Sequence, residues 1–322
     1  MMRRSSWLRV TASASLATAA LPRFARAQEL TPLRIGVAEG DDATPTLYAI
    51  KSGLFKKYGI DPQLQRMPSG AASLAAVAGG AIDVGGSSQL SFLLAHAKSI
   101  PLSIVAPLAI YSSETLYAAL IVKKESPYKT GRDLNGKTIG SPALHDLNWI
   151  ATMSWIDQNG GDSTTTKTVE LPSSAIAVAI DEGRIDASTV TTPRYVQAVN
   201  SGKVRILGHS YDAIAKNFMF AAYVSQTEWA AKNPDLIARF GRAIRDASRY
   251  SNTHHAETLP IYADFAKIDV KEIADAPRAI SPPYVEVKDL QPLIDVAVKY
   301  KLIDRIDPQT LISSSCLKPG AA

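Results

Sequence analysis

The strongest constraint on the fold is a set of motifs that occurs twice, in the same order, in two halves of the chain. Three motifs are shared: Ile35-Gly36 with Ile139-Gly140, Pro68-Ser69-Gly70-Ala71 with Pro172-Ser173-Ser174-Ala175, and the pattern Ala-x-x-x-Gly-x-Ile-Asp beginning at residues 76 and 179. In both halves the first two motifs are 33 residues apart, counted from Ile35 to Pro68 and from Ile139 to Pro172. Common α/β patterning can supply one such match, whereas three at a nearly constant offset predict two similar lobes.

Within the first half, short β-type runs alternate with helical runs, which is typical of an α/β fold. We predict strands at 33–37, 61–65 and 81–84, and helices at 47–58, from 68–70 onwards and from 85–88 onwards. Each helix then begins where a strand ends. In open α/β sheets, that edge is where ligands bind.

The duplication also predicts how the chain passes between the lobes. Residues 105–117 and 208–222 are expected to be extended crossover segments, which assigns 28–110 and 220–322 to lobe 1 and 111–219 to lobe 2. The C-terminal part is predicted to be helical at 228–250 and 290–300, where apolar residues recur at helical spacing. We expect these helices to pack mostly on lobe 1.

The N-terminus has the three parts of an export signal peptide. Arg3, Arg4 and Arg9 precede the uncharged stretch 10–21, and Ala25-Arg26-Ala27 forms a small-residue cleavage site. The apolar stretch is shorter than the roughly 20 residues that span a bilayer. We therefore predict cleavage after Ala27 and a periplasmic location, by the general secretory or the twin-arginine route. A disordered tail or a mitochondrial presequence is the alternative interpretation.

Charge and cysteine content narrow the class of protein further. The formal charge is +5, and residues 1–27 contain five arginines and no acid, so the mature chain is close to neutral. No dense basic face remains for nucleic acid. No further stretch is apolar enough to span a membrane. Cys316 is the only cysteine, so an intramolecular disulfide is impossible and no lipid-anchor cysteine lies at the cleavage site.

Three segments resemble the substrate-binding proteins of the nitrate, sulfonate and taurine importers, which share their fold with the thiamine-pyrimidine synthases: 49–60, 70–86 and 133–140. The similarity spans nearly the whole mature chain. It implies an α/β, type II-like periplasmic binding protein fold, in which each lobe is a mixed sheet flanked by helices and a hinge joins the lobes. It also implies a monomer that captures a small molecule and delivers it to an ABC permease and ATPase in the inner membrane. No cofactor or metal is expected.

Candidate ligand contacts follow from the predicted loops. Hydroxyls and free backbone N–H groups at helix N-termini can hold an anion without a basic side chain, although serine is also an ordinary helix cap. Lobe 1 is predicted to contribute Asp41, Asp42, Thr44, Ser69, Gly70, Ser87 and Ser88, and lobe 2 Ser141, His145, Ser173, Thr191, Thr192 and Arg194. Tyr111 and Trp149, with Tyr195 and Phe218, are candidates for apolar walls or for core residues.

The identity of the ligand is left open by the sequence. The resemblance implies a lysine in the first loop of sulfonate-type proteins, but residues 38–44 read Ala-Glu-Gly-Asp-Asp-Ala-Thr. Carboxylates there would repel a sulfonate or nitrate and could accept hydrogen bonds from an amine, amide or aminopyrimidine. Alternatively, Asp41 and Asp42 cap the next helix. Arg194 is the best basic candidate for a ligand carboxylate.

Two further classes of function remain as alternatives. The fold also hosts enzymes, which the resemblance associates with a cysteine-rich iron motif or a nucleophilic cysteine in an early loop, and neither fits a chain whose one cysteine is Cys316. The histidines show no metal-ligand spacing, because His254 and His255 are adjacent. We therefore predict a protein that is not an enzyme. A ligand-binding partner of a periplasmic sensor is not excluded by any residue.

Overall fold

The computed structural model describes residues 30–313, so the predicted leader and Cys316 lie outside the described residues. Residues 30–313 contain ten strands: β1 (Thr31–Ala38), β2 (Ile60–Met67), β3 (Val84–Ser88), β4 (Leu102–Ser112), β5 (Ala118–Lys123), β6 (Thr138–Ser141), β7 (Lys167–Glu170), β8 (Ala187–Thr191), β9 (Val204–Gly208) and β10 (Asn217–Gln226). The strands form two five-stranded sheets, in the orders β2-β1-β3-β10-β4 and β7-β6-β8-β5-β9.

The two sheets have the same topology. In each, three parallel strands are followed by two strands that pair antiparallel: β10 with β3 and β4 in the first sheet, and β5 with β8 and β9 in the second. Ile35 and Ile139 occupy the equivalent central strands β1 and β6 of different sheets. The duplicated motifs therefore correspond to two separate mixed sheets.

A repeated polar contact accompanies the repeated Ile-Asp motif. The backbone N–H of Arg34 donates to Asp83 Oδ2 at 2.8 Å, and the backbone N–H of Thr138 donates to Asp186 Oδ2 at 2.9 Å. Asp83 thus connects the start of β3 to β1, and Asp186 connects the start of β8 to β6. The short motif is conserved between the halves of this chain because the contact it makes is the same.

Eleven α-helices lie in the described residues: α1 (Thr44–Lys51), α2 (Leu54–Lys57), α3 (Gly70–Ala78), α4 (Gln89–Ala97), α5 (Leu147–Gln158), α6 (Ser173–Asp181), α7 (Arg194–Asn200), α8 (Thr227–Lys232), α9 (Pro234–Ser251), α10 (His255–Ala266) and α11 (Val287–Lys299). They flank both sheets. Helices α9 and α10 pack on α1, and α11 packs on β10 and α4 of the first lobe. Tyr300, just after α11, reaches the second lobe and donates a hydrogen bond to Asp157.

Two predicted helices are each divided in the structure. The predicted helix 47–58 is interrupted at Gly53, whose φ of +77° is a left-handed conformation that favours glycine. The predicted helix 228–250 is interrupted at Asn233, because Pro234 has no N–H to continue the helical hydrogen bonds and begins α9 instead.

The prediction for residues 85–88 is wrong. They do not open a helix but form most of β3, because pairing with β10 satisfies their backbone groups: Gly85 lies opposite Val224 and Ser88 opposite Ala221. The helix begins one residue later, at Gln89. A Cβ on Gly85 would lie 2.5 Å from Ser73 Oγ, so the glycine allows α3 to approach the sheet.

About half of the residues in the predicted crossover segments belong to strands of the first sheet, 105–112 to β4 and 217–222 to β10. β4 and β10 pair antiparallel, and the chain passes between the sheets at 113–117 and 209–216. The lobe limits at 110 and 220 stay a prediction. A large buried cluster covers the first sheet and includes Leu147 and Ile150 of α5, while two smaller clusters cover the faces of the second sheet. The first turns of α5 therefore connect the two cores.

Candidate ligand-binding cavity

A cavity of about 590 Å³ lies between the two sheets. It is lined by residues at or just after the carboxyl ends of six parallel strands, three from each sheet: 38–40, 42–43, 68–71, 86–88, 142–143, 146–148, 170–174, 191–192 and 194. The carboxyl ends of the strands of both lobes therefore face one space. This is the arrangement expected of a ligand site in open α/β sheets.

Nine of the residues proposed from the sequence line this cavity: Asp42, Ser69, Gly70, Ser87, Ser88, Ser173, Thr191, Thr192 and Arg194. Two of the serines also cap helices. Ser69 Oγ accepts from the backbone N–H of Ala72 at 3.1 Å, and Ser88 Oγ accepts from that of Ser91 at 3.2 Å. Contact of these residues with a ligand stays a prediction.

Asp41 and Thr44 do not line the cavity. Asp41 Oδ1 accepts from Arg278 Nε at 2.7 Å, and Asp41 Oδ2 accepts from the backbone N–H of Ala279 at 2.7 Å. The hydroxyl of Thr44 donates to the same carboxylate at 3.2 Å. Both side chains are buried in a contact that holds the C-terminal region on the first lobe, so neither is directed to the cavity.

Four other proposed residues also lie outside the cavity lining: Tyr111, Ser141, His145 and Trp149. Tyr111 is fully buried against Tyr211 and Phe218, and its hydroxyl donates to Asp212 at 2.9 Å. The indole Nε1 of Trp149 donates to Thr168 Oγ1 at 3.0 Å.

His145 is exposed and contacts the ring of Trp149 edge-on. Ser141 is buried and acts through a neighbour, because its hydroxyl donates to Asp146 Oδ1 at 2.6 Å. Ser141 is therefore a supporting residue of the cavity wall.

Asp42 is a cavity residue with an unusual protonation equilibrium. Burial, and after it the negative charge of Asp41, raise the pKa of its carboxyl to about 7, against opposing hydrogen bonds from its own backbone N–H and from Tyr117. A Cβ on Gly40 would lie 2.2 Å from Asp42 Oδ1, so glycine leaves room for this carboxyl. Near neutral pH, Asp42 can gain or lose a proton at little cost.

Asp146 is the matching carboxyl of the second lobe, and it was missed by sequence reasoning. It caps α5 by accepting from the backbone N–H of Trp149 at 2.8 Å. Burial raises its pKa to about 6, against the opposing hydrogen bonds from Ser141 and the backbone. The sequence signal was an acid immediately before a helical run, which is also typical of an ordinary cap.

Aromatic side chains form the inner wall of the cavity: Tyr117, Tyr211, Phe220 and Tyr262. The rings of Tyr117 and Phe220 stack with centroids 4.8 Å apart, and the Tyr211 hydroxyl donates to Asn148 Oδ1 at 2.8 Å. None of the four was proposed as a ligand contact. Tyr117 and Phe220 lie in the predicted crossover segments, whose extended conformation was the available signal.

Arg194 lines the cavity, but its guanidinium already has a carboxylate partner. It forms an ion pair with Glu39 of the first lobe, and Glu39 also pairs with Arg66 at 2.7 Å. The Arg194–Glu39 pair therefore joins the two lobes across the mouth of the cavity.

The two-lobed fold is that of the periplasmic binding proteins. The chain is similar to the solved structure of the periplasmic aliphatic sulphonate-binding protein of Escherichia coli, with a TM-score of 0.74, 20% identity, and coverage of 89% of this chain and 98% of the other. It is also similar to that of the periplasmic nitrate-binding protein of Synechocystis PCC 6803, with a TM-score of 0.74, 14% identity, and coverage of 89% and 87%.

A family model described as NMT1/THI5 like matches residues 41–258, and the chain belongs to this family. A protein of Brucella abortus named as a candidate binding protein is 24% identical over 258 residues, which are 79% of this chain and 77% of that protein. The resemblance recognised in the sequence is therefore confirmed.

No helix between residues 30 and 313 combines the length and hydropathy needed to cross a membrane. Over the same residues, no group of three or more His, Cys, Asp or Glu side chains is arranged to hold a metal ion.

Proposed function

We propose that this protein is the periplasmic solute-binding component of an ABC importer, which captures a small molecule between its lobes and presents it to the permease and ATPase of the inner membrane. The observation that carries the proposal is the cavity itself. Its lining combines the strand-end loops of two topologically equivalent sheets. A ligand that contacts both sets of loops binds a closed arrangement of the lobes more tightly than an open one, and this difference in affinity drives closure.

Binding without chemical conversion is part of the proposal. It is supported by the family match and by the Brucella relative, which is named as a candidate binding protein. Export after cleavage at Ala27, a monomeric state and the ligand contacts of the nine cavity residues belong to the same proposal.

Purified mature protein tests the proposal in two measurements. A thermal-shift screen against sulfonates, nitrate, carboxylates, amines and pyrimidines finds the ligand, because a ligand at a hundredfold its Kd adds about 2.7 kcal/mol of stability. Small-angle scattering with that ligand should then show a smaller radius of gyration. A bound ligand with an unchanged radius of gyration would contradict capture by lobe closure.

Export has its own test. Mass spectrometry of the periplasmic protein should show a chain that begins after Ala27. A protein that retains Arg3 and Arg4 would contradict the proposed location.

A further inference from the structure

The charged side chains of the cavity are predominantly acidic. Four carboxyl groups and one guanidinium line it: Glu39, Asp42, Asp146, Glu170 and Arg194. Among the described lining residues there is no lysine or histidine. The charge of the site therefore points away from an anion as the principal ligand group.

The two cavity carboxyls at the inner wall have no basic partner. Glu39 is neutralised by Arg66 and Arg194, whereas Asp42 and Asp146 take part in no ion pair with any residue between 30 and 313. Their hydrogen bonds come from neutral donors: Tyr117 for Asp42, and Ser141 with the backbone N–H of Trp149 for Asp146. A buried carboxyl without a cation is held partly protonated, and a cationic ligand would stabilise its ionised form.

The two carboxyls share Tyr211 as a cavity neighbour, because the charges of both act on its phenol. Burial raises the pKa of the Tyr211 phenol well above its usual range, and the charges of both Asp146 and Asp42 raise it further. Tyr211 also contacts Phe220, which stacks on Tyr117. One carboxyl from each lobe is thus placed beside a common aromatic surface, which fits a ligand with a flat or hydrocarbon body and a charged nitrogen.

The hydroxyl of Thr192, in the cavity lining, lacks a hydrogen-bond partner among the described residues. Thr192 is only 1% exposed, and its Oγ1 is buried without a hydrogen bond to any described residue. Buried hydroxyls are normally hydrogen-bonded. Because Thr192 lines the cavity, its oxygen is available to accept an N–H group of a ligand.

The features that would favour an anion are weaker. The N-termini of α3 and α4 face the cavity, but the side chains of Ser69 and Ser88 already accept from their backbone N–H groups. Three helices begin at the cavity without a side-chain cap: α1 after Ala43, α6 at Ser173 and α7 at Arg194. Each helix end is equivalent to about half a positive charge, so together they amount to less than the charge of two carboxylates. The one guanidinium at the cavity, that of Arg194, is already paired with Glu39.

We propose that the cavity selects an organic cation: a protonated amine or amidine nitrogen on a flat or hydrocarbon body, bound by Asp42 and Asp146 with Thr192 as a further acceptor and the aromatic wall against the body. The inference rests on the proposed solute-binding function and names its ligand class. It applies equally to a primary amine and to an amidine, because both present charged N–H donors.

The test uses matched probes on the full mature chain. Benzylamine, benzamidine and cyclohexylamine are compared by thermal shift and calorimetry with benzenesulfonate, benzoate and cyclohexanesulfonate, which have similar bodies and the opposite charge. The expected result is binding of cations only. Affinity for the cations should rise as the pH rises from about 5 to about 8, because the carboxyls must ionise to bind them, and an anion would show the reverse.

Variants then assign the effect to the two carboxyls. Asp42→Asn and Asp146→Asn should each lower the affinity for the cation roughly 10- to 100-fold, which is the usual effect of losing a hydrogen bond to a charged group. Asp295→Asn is the matched control, since Asp295 is an exposed acid on α11 whose carboxylate accepts from Gln291. Circular dichroism of each variant confirms that it is folded.

The outcomes separate this inference from the proposed function. Sulfonates or carboxylates that bind and shrink the protein in scattering would overturn the cation assignment and leave solute capture intact. Equal losses in Asp42→Asn and Asp295→Asn would overturn the assignment to the cavity carboxyls. If no probe of either charge binds, the cation inference fails. The proposed function fails as well only if the wider ligand screen also finds nothing.

Discussion

The Asp42→Asn substitution tests the electrostatics of the cavity without any ligand. Burial and the charge of Asp41 raise the pKa of Asp42 from 3.8 to about 7 in the folded protein. The folded state therefore disfavours the carboxylate. The free energy of unfolding is highest when Asp42 is protonated, and it falls as the pH rises from about 4 to about 7.

The size of the effect follows from the two pKa values. A difference of this size corresponds to about 4 kcal/mol at high pH. Asp42 is partly exposed to the cavity, so solvent screening reduces this destabilisation by about half, to roughly 2 kcal/mol. Roughly 1 kcal/mol of this develops between pH 5 and pH 8, which corresponds to a Tm change of about 1–2 °C for a chain of this size.

The assay is thermal unfolding of the ligand-free wild type, Asp42→Asn and the control Asp295→Asn at pH 5 and pH 8. Asparagine can still accept from Tyr117 but carries no charge. The Tm of Asp42→Asn relative to wild type should therefore be higher at pH 8 than at pH 5, by about 1–2 °C. A relative Tm that is the same at both pH values would refute the desolvation argument.

Three further predictions concern a buried ion pair, two glycines outside the cavity and the ion pair between the lobes. The side chain of Asp41 is 4% exposed, and Arg278→Met leaves its carboxylate without a cation. This variant should lower the free energy of unfolding, measured by denaturant titration, by about 3–5 kcal/mol. An effect below about 1 kcal/mol would contradict a structural role for Asp41. Gly131→Ala places a Cβ 2.1 Å from the Ile156 carbonyl oxygen and should destabilise the protein by more than about 2 kcal/mol. Gly241→Ala in α9 meets no atom within 4 Å and should stabilise the protein by up to about 1 kcal/mol. Calorimetric unfolding of the two variants and the wild type measures both effects. Arg194→Gln removes the ion pair between Arg194 and Glu39, whose side chains are 24% and 30% exposed respectively. The loss should favour an open arrangement of the lobes by about 0.5–1 kcal/mol and increase the radius of gyration of the ligand-free protein in scattering at low salt. An unchanged scattering curve would show that this ion pair does not hold the lobes together.

The sequence by itself determined the duplicated α/β architecture. The repeated Ile-Gly, Pro-Ser and Ile-Asp motifs have the same local roles in both halves: a central strand, a strand-to-helix turn and the start of the next strand. These roles depend on short-range backbone geometry, which a short motif can encode. For the same reason the turns carrying Ser69, Ser173 and Arg194 were correctly placed between a strand and the next helix.

Only the tertiary structure decided which polar groups face the cavity. Asp41 and Asp42 are adjacent and chemically identical in the sequence, yet Asp41 is neutralised by Arg278, a residue 237 positions away, while Asp42 is directed to the cavity. Asp146, Tyr117 and Phe220 also reach the cavity only through tertiary packing. The rings of Tyr117 and Phe220 stack on each other from the two crossover segments. The physical reason is that the charge and burial of a side chain depend on partners brought together by packing over long sequence separations, and no local pattern specifies those partners.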